Sequence, residues 1–161
     1  MTNTVDDLYQ EFLRQMEEDA FLEPYKEACR YIEQKLEKIN IEYSEKLGRN
    51  FIGQTICRIK TPESCLNKMI KKKYIVKQQT AQEYLSDISG IRVICNFLDD
   101  IYRLAEILKE DEKLEVIKTK DYVKKPKSSG YQSLHMIVLV PVDGVGKKRV
   151  EIQIRTQAMN L

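Results

Sequence analysis

The chain of 161 residues predicts an α+β fold, a mixed, mainly antiparallel five-stranded sheet with flanking helices. Three observations carry that prediction. Helical periodicity fills residues 5–48, short β-branched apolar runs alternate with helical segments through the middle, and the last third is strand-like around a Gly-rich turn. Hydrophobic residues make up 42% and charged residues 32%, a balance that excludes a disordered chain and a disulfide-dense scaffold. The longest apolar stretch, Met136–Val142, falls far short of the ~20 residues a membrane helix needs. The acidic start MTNTVDDLYQ lacks the basic-then-apolar pattern of a secretion signal, so no membrane partner and a cytoplasmic compartment are expected.

Leu8, Phe12 and Met16 recur at helical spacing, and Tyr25, Cys29, Ile32, Leu36 and Ile39 extend a second stripe, with a break predicted at Ala20–Pro24. Residues 51–60 switch to a strand pattern. Thr61 then has the chemistry of an N-cap and Pro62 that of a first helical residue, opening a lysine-rich helix to about residue 73. After a polar connection, Ile91–Phe97 reads as a buried strand, and Asp99 or Asp100 as the cap of a helix whose apolar face is Ile101, Leu104, Ala105 and Leu108. Leu114–Val123 is a strand, 124–130 a loop, and Leu134–Val142 and Lys148–Thr156 form a hairpin around residues 143–146. In the last strand Val150, Ile152 and Ile154 share one face, while Arg149, Glu151, Gln153 and Arg155 share the other, giving the sheet a buried side and a polar side.

Cys29, Cys57, Cys65 and Cys95 form no C-x-x-C pair and sit among apolar neighbours, so four buried thiols are expected; with His135 as the one histidine, zinc-ligand spacing is absent. The formal net charge of +2 conceals a strong pattern. Residues 51–80 hold seven basic side chains against one acidic, and 118–161 hold nine against three, whereas the blocks 1–50 and 81–117 are acidic. Two basic blocks converging in space would suit a polyphosphate or a nucleic acid; left apart, they are solvated lysine faces.

No phosphate-binding P-loop, dinucleotide fingerprint, zincin, nucleophile-elbow or EF-hand pattern is present. Asp87 and Glu151 stand beside two different predicted strands. Facing one cleft, they would hold Mg²⁺ for phosphoryl chemistry; apart, each is an ordinary surface acid.

The stretches SDISGIRVICNF (86–97), KDYVKKPKSSGYQSLH (120–135) and VEIQIRTQAMN (150–160) together resemble the synthetase domain of the RelA/SpoT family, in the family's order and over about residues 50–160. The resemblance is to its small alarmone synthetases. It implies a nucleotidyltransferase-like synthetase domain at 49–161 preceded by N-terminal helices at 1–48, and lacking the helices that family members carry after the A-M-N segment. It also implies Mg²⁺-dependent transfer of pyrophosphate from ATP to the ribose 3′-hydroxyl of GDP or GTP, making the (p)ppGpp of the stringent response. A homo-oligomer, a tetramer at full length, and RNA as an effector belong to the same expectation.

Residue by residue, the resemblance places Arg58 and Arg92 on the two faces of adenine, and Lys60, Ser64 and Lys68 on the ATP phosphates, with Lys71–Lys73 adding field. Asp87 becomes a metal ligand, and Glu151 a metal-contacting group that orients or deprotonates the attacking hydroxyl. Tyr131 becomes the platform for guanine. Lys120, Lys127 and His135 face the acceptor phosphates, with Gln153, Arg155 and Asn160 lining the same side. Two other readings share these residues: a toxic relative that modifies tRNA or adenosine nucleotides, and a non-catalytic nucleotide- or RNA-binding module using Tyr131 as a stacking surface.

Overall fold

The computed structural model describes residues 4–160; the outer ends of the two expected units, residues 1–3 and Leu161, lie outside the described residues. Its elements run α1 (Val5–Met16), α2 (Asp19–Leu47), β1 (Ile52–Ile59), α3 (Pro62–Lys71), α4 (Gln78–Tyr84), β2 (Ser89–Cys95), α5 (Leu98–Glu110), β3 (Glu115–Asp121), β4 (Leu134–Val142), β5 (Gly146–Thr156) and a short 3₁₀ turn, Ala158–Asn160. The five strands form one sheet in the order β1-β2-β5-β4-β3. Only β2 and β5 are parallel and the other three pairings are antiparallel, so the sheet is mixed and mainly antiparallel as expected.

Strand alternation decides which face is covered. Val150, Ile152 and Ile154 of β5, with Met136, Val138 and Val140 of β4, point to the side that α2 and α5 cover, where they join Ile32, Leu36, Ile101, Leu104 and Leu108 in the main core. A second, smaller core forms at one end of the sheet. Phe12 and Met16 of α1, Phe21 and Tyr25 of α2, Cys65 and Met69 of α3 and Ala81 of α4 close around Leu85 and Ile88, the residues that flank Asp87.

Four local expectations are corrected. The helical break falls at Glu17–Glu18, where Glu18 is extended, and Pro24 lies inside α2. The missing Pro24 N–H costs one helical hydrogen bond, which the continuous buried stripe from Phe21 to Ile39 outweighs. The polar connection after α3 contains a further helix, α4, whose sole buried residue is Ala81, so it carries almost no apolar periodicity to detect. The cap of α5 is Phe97, without a side-chain hydrogen bond. Asp100 instead turns inward, fully buried, and accepts from Arg49 at 2.7 and 2.9 Å and from Arg103 at 2.9 Å. Finally, Cys29 on α2 is joined to the half-buried Cys57 on β1, with Cα atoms 6.3 Å apart, leaving Cys65 and Cys95 as the free buried thiols.

Candidate active site

The exposed face of the sheet is ordered by register. One row runs across all five strands as Ile56, Arg92, Gln153, His135 and Lys120; the adjacent row runs Arg58, Gly90, Glu151, Ile137 and Lys118. Arg58 and Arg92 therefore stand at diagonal corners of the β1–β2 ladder, where backbones are about 7–8 Å apart. That is twice a van der Waals contact, the spacing at which two guanidinium planes can take the two faces of an aromatic base. Gly90 occupies a third corner. A Cβ there would meet only the Glu151 and Arg58 carbonyl oxygens, at 3.5 and 4.0 Å, so what glycine secures is the open floor rather than a close packing contact.

This floor lies in a cleft of 280 Å³ whose walls bring together Arg58, Lys60, Ser64, Asp87, Arg92, Glu151 and Gln153. Ser64 is fixed at the start of α3, where Thr61 caps the helix by accepting from the Ser64 N–H at 3.1 Å. Lys60 N–H donates to the Ile88 carbonyl at 2.8 Å, tying the end of β1 to the connector that carries Asp87. Asp87 Oδ2 lies 3.1 Å from Lys60 Nζ, and Oδ1 lies 3.1 Å from Lys68 Nζ. Partial burial pushes the Asp87 carboxyl up, but the ammonium groups of Lys68 and Lys60 outweigh it and hold it below the usual carboxylate range. The Oδ1 contact is charge proximity without hydrogen-bond geometry, so that buried oxygen keeps unused acceptor capacity.

Across β5 the site continues as hydrogen bonds. Arg155 Nη2 donates to Tyr131 Oη at 2.8 Å and to Gln153 Oε1 at 2.5 Å, and Gln153 Nε2 donates to Glu151 Oε1 at 2.8 Å. Tyr131 Oη, which accepts from Arg155, also shares a hydrogen bond with His135 Nε2 at 2.7 Å, its direction set by the imidazole tautomer. His135 Nδ1 faces Glu151 Oε1 at 3.8 Å. Burial lowers the His135 pKa, as do the nearby charges of Lys127, Arg155 and Lys120; Glu151 opposes them without prevailing, so the imidazole is neutral at pH 7. Lys127 Nζ sits 4.7 Å from the Tyr122 ring centre and 5.3 Å from that of Tyr131. Gly130, at φ +88°, makes the turn that delivers Tyr131.

The structure thus divides the expected residues into a cleft group, joined by Lys68 through Asp87, and an adjoining group of Tyr131, His135, Arg155 and Lys127. Gln153 and Glu151 link the two. Lys120 lies opposite His135 on the edge strand. Asn160 is in the 3₁₀ turn with a buried, unpartnered Oδ1, and no hydrogen bond among the described residues connects it to either group. Three participants were missed: Ile56 and Ile91, which line the cleft, and Tyr122, packed edge-on against His135 at 5.2 Å. Alternation with Arg58 could have found Ile56; Tyr122 lies inside a motif already singled out.

The carboxylate pair suits a hard divalent cation, since Asp87 Oδ1 has free capacity and Glu151 lines the same cleft. Among the described residues no cluster of three or more His, Cys, Asp or Glu is present, so a metal there would complete its shell with ligand oxygens and water.

The family profile described as "Region found in RelA / SpoT proteins" matches residues 57–161. The chain belongs to the RelA/SpoT family. It is 40% identical over 139 residues to the GTP pyrophosphokinase YwaC of Bacillus subtilis, covering 84% of this chain and 66% of that one. To the GTP pyrophosphokinase YjbM of the same organism it is 37% identical over 145 residues, covering 88% and 67%. The chain therefore spans about two thirds of the length of these two relatives. Among solved structures it is similar to small alarmone synthetase 1 of Bacillus subtilis bound to its product pppGpp (TM-score 0.80, 35% identity, 88% of this chain and 73% of that one). It is likewise similar to a GTP pyrophosphokinase family protein of Streptococcus pneumoniae (TM-score 0.81, 34% identity, 88% and 70%). The mixed five-stranded sheet with flanking helices is the fold of these synthetases.

Proposed function

We propose that the chain is a GTP/GDP pyrophosphokinase, transferring the β,γ-pyrophosphoryl group of ATP to the 3′-hydroxyl of GDP or GTP and releasing AMP. The observation that carries this reading is the continuous polar face on which Glu151 lies between a two-arginine clamp and an aromatic–cationic cluster. One face holds two nucleotides with a carboxylate at their junction.

In this reading Arg58 and Arg92 stack on adenine, and the buried, unpaired Nε of Arg92 offers a further donor there. Lys60, Ser64 and Lys68 receive the triphosphate. Tyr131 stacks on guanine, and Lys120, Lys127 and His135 meet the acceptor phosphates. Arg155 and Gln153 brace Glu151, whose Oε1 is engaged by the Gln153 amide; Oε2 is left to orient the 3′-hydroxyl and take its proton as oxygen attacks the β-phosphorus. Asp87 and Glu151 would hold Mg²⁺, which, when bound, neutralises charge on the transferred phosphates. Asn160 completes the acceptor side. The direct test is incubation with labelled ATP, GDP or GTP and Mg²⁺; a 3′-pyrophosphorylated guanine nucleotide is expected, and labelled tRNA or adenosine nucleotide in its place would reverse the acceptor assignment.

The same proposal covers division into N-terminal helices (1–48) and a synthetase unit (49–161), a cytoplasmic setting, assembly into a homo-oligomer and RNA as an effector. Light scattering with and without RNA reads the last two. No helix among the described residues is long and apolar enough to cross a membrane.

A further inference from the structure

A second recess, of 480 Å³, lies off the cleft and shares no lining residue with it. It forms where β5 outruns β2. The parallel ladder begins at Ser89 opposite Val150, so Lys147, Lys148 and Arg149 pair with β4 on one side and have no strand on the other. Helix α4 stands across this open edge and contributes Gln79, Gln82 and Glu83, while Tyr25 of α2 lines it from the other side.

Lys148 is the unusual group. It alternates onto the core side of β5 and is 8% exposed, and among the described residues no carboxylate lies within ion-pair distance and no acceptor takes its protons. Its Nζ lies 5.3 Å from the centre of the Tyr25 ring. Two half-buried lysines are paired instead, Lys35 with Asp111 and Lys60 with Asp87. Arg149 leaves the opposite face of β5 but reaches the same recess around its open edge, where it is spent only in part, on the Glu83 carbonyl at 2.5 Å. Of the acids nearby, Glu115 is paired with Lys147 at 3.3 Å, while Glu83, which also lines the recess, is solvent-exposed and accepts from the Gln79 amide at 3.3 Å.

We propose that this recess binds a small phosphate monoester, its phosphate held by Lys148 and Arg149 and its body lying against Leu139 and the two glutamine amides. Lys148 is largely buried along its stem and brings its ammonium to the recess without a counter-charge, a position that an oxyanion would pair, and burial lowers its pKa. The volume exceeds what a bare phosphate fills and lies in the range of small-molecule sites.

The chain contains no tryptophan, so Leu139→Trp places a single fluorescent reporter on the recess. Titration at constant ionic strength, with potassium chloride as control, compares phenyl phosphate with inorganic phosphate. A saturable signal is expected, tighter for phenyl phosphate, weakened at least about tenfold by adding Lys148→Met and changed less than about twofold by adding Arg58→Ala in the cleft. A signal indifferent to Lys148→Met, or lost with Arg58→Ala, overturns the proposal; equal or tighter binding of inorganic phosphate overturns the monoester assignment. Should either recess variant fail to fold by circular dichroism, amide NMR shifts in the unaltered chain decide. Shifts at residues 147–149 and 79–83 support the site, and shifts confined to residues 58–68 refute it.

Discussion

Around Asp87 the cleft is held by full charges: one carboxylate between two lysine ammonium groups, seated between Leu85 and Ile88 of the smaller core. Around Tyr131 it is held by shared protons, with one guanidinium, one phenol, one amide and a neutral imidazole arranged about Glu151. The charged side can exchange partners cheaply, because an ammonium released from Asp87 finds an equivalent partner in a phosphate oxygen. The hydrogen-bonded side cannot, because each donor there fixes the direction of the next, and removing one leaves its neighbour buried and unpaired. Such a division suits a site that must draw in a polyanion at one end and hold an attacking hydroxyl still at the other.

The largest break in this comparison is at the junction. Glu151→Gln keeps the side-chain shape and the Gln153 contact but removes the charge, so turnover should fall about 100- to 1,000-fold while guanine-nucleotide binding stays within about threefold. Steady-state kinetics with GDP varied, beside equilibrium dialysis of GDP, read the two quantities separately. Loss of binding matching the loss of turnover would place Glu151 in the pocket wall and not at the reaction.

Next comes the hydrogen-bonded side. Tyr131→Ala removes both the stacking surface and the hydroxyl and should raise the acceptor's Michaelis constant about 5- to 150-fold with a smaller effect on ATP. Tyr131→Phe keeps the ring and leaves Arg155 Nη2 and His135 Nε2 without their shared oxygen; at about 0.5–1.5 kcal/mol, it should lower turnover by about 2- to 13-fold. A Tyr131→Phe variant as impaired in acceptor affinity as Tyr131→Ala would show that the hydroxyl, not the face, carries recognition.

What the sequence made legible follows the same division. Strand periodicity was enough to put Glu151, Gln153 and Arg155 on one face, and once β5 is a strand, Val150, Ile152 and Ile154 must be its buried side. Charge blocks left open whether the two sets of cations converge or stay apart as solvated faces. Two things stayed hidden because they depend on distant partners. Asp100 looks like a helix cap locally, and only the fold brings Arg49 to it from 51 residues away. Cys29 and Cys57 are separated by 28 residues and gain their proximity from α2 lying across β1. The α4 helix was invisible for a different reason: it buries one alanine and is kept in place by contacts such as the Gln78 side chain to the Gln15 carbonyl at 2.8 Å.

A smaller effect sharpens the clamp. Arg58→Lys preserves charge but replaces a plane with a point, so the ATP Michaelis constant should rise about 2- to 5-fold, in line with about 0.5–1 kcal/mol for an exposed cation–π contact, while the GDP constant stays unchanged. Kinetics with ATP and GDP varied independently test this. An equal rise in both constants would mean that Arg58 acts through the general field of the cleft.

The smallest expected effect separates the two sides by pH. Asp87 has its folded pKa held below the ordinary 3.8, so the unfolded chain takes up its proton first; the stability it contributes is complete above about pH 4 and disappears as pH falls through the lowered value. His135 also has a lowered folded pKa, but its ordinary value is 6.5, so its contribution is present above about pH 6.5 and declines as acid protonates the unfolded chain. Both slopes have the same sign in different windows. Urea unfolding between pH 7.5 and 5 should therefore show a loss of stability that His135→Gln suppresses and Asp87→Asn leaves intact. A loss in that window suppressed instead by Asp87→Asn would mean that the two sides are electrostatically coupled through Glu151, and that the division between charge and shared protons does not hold.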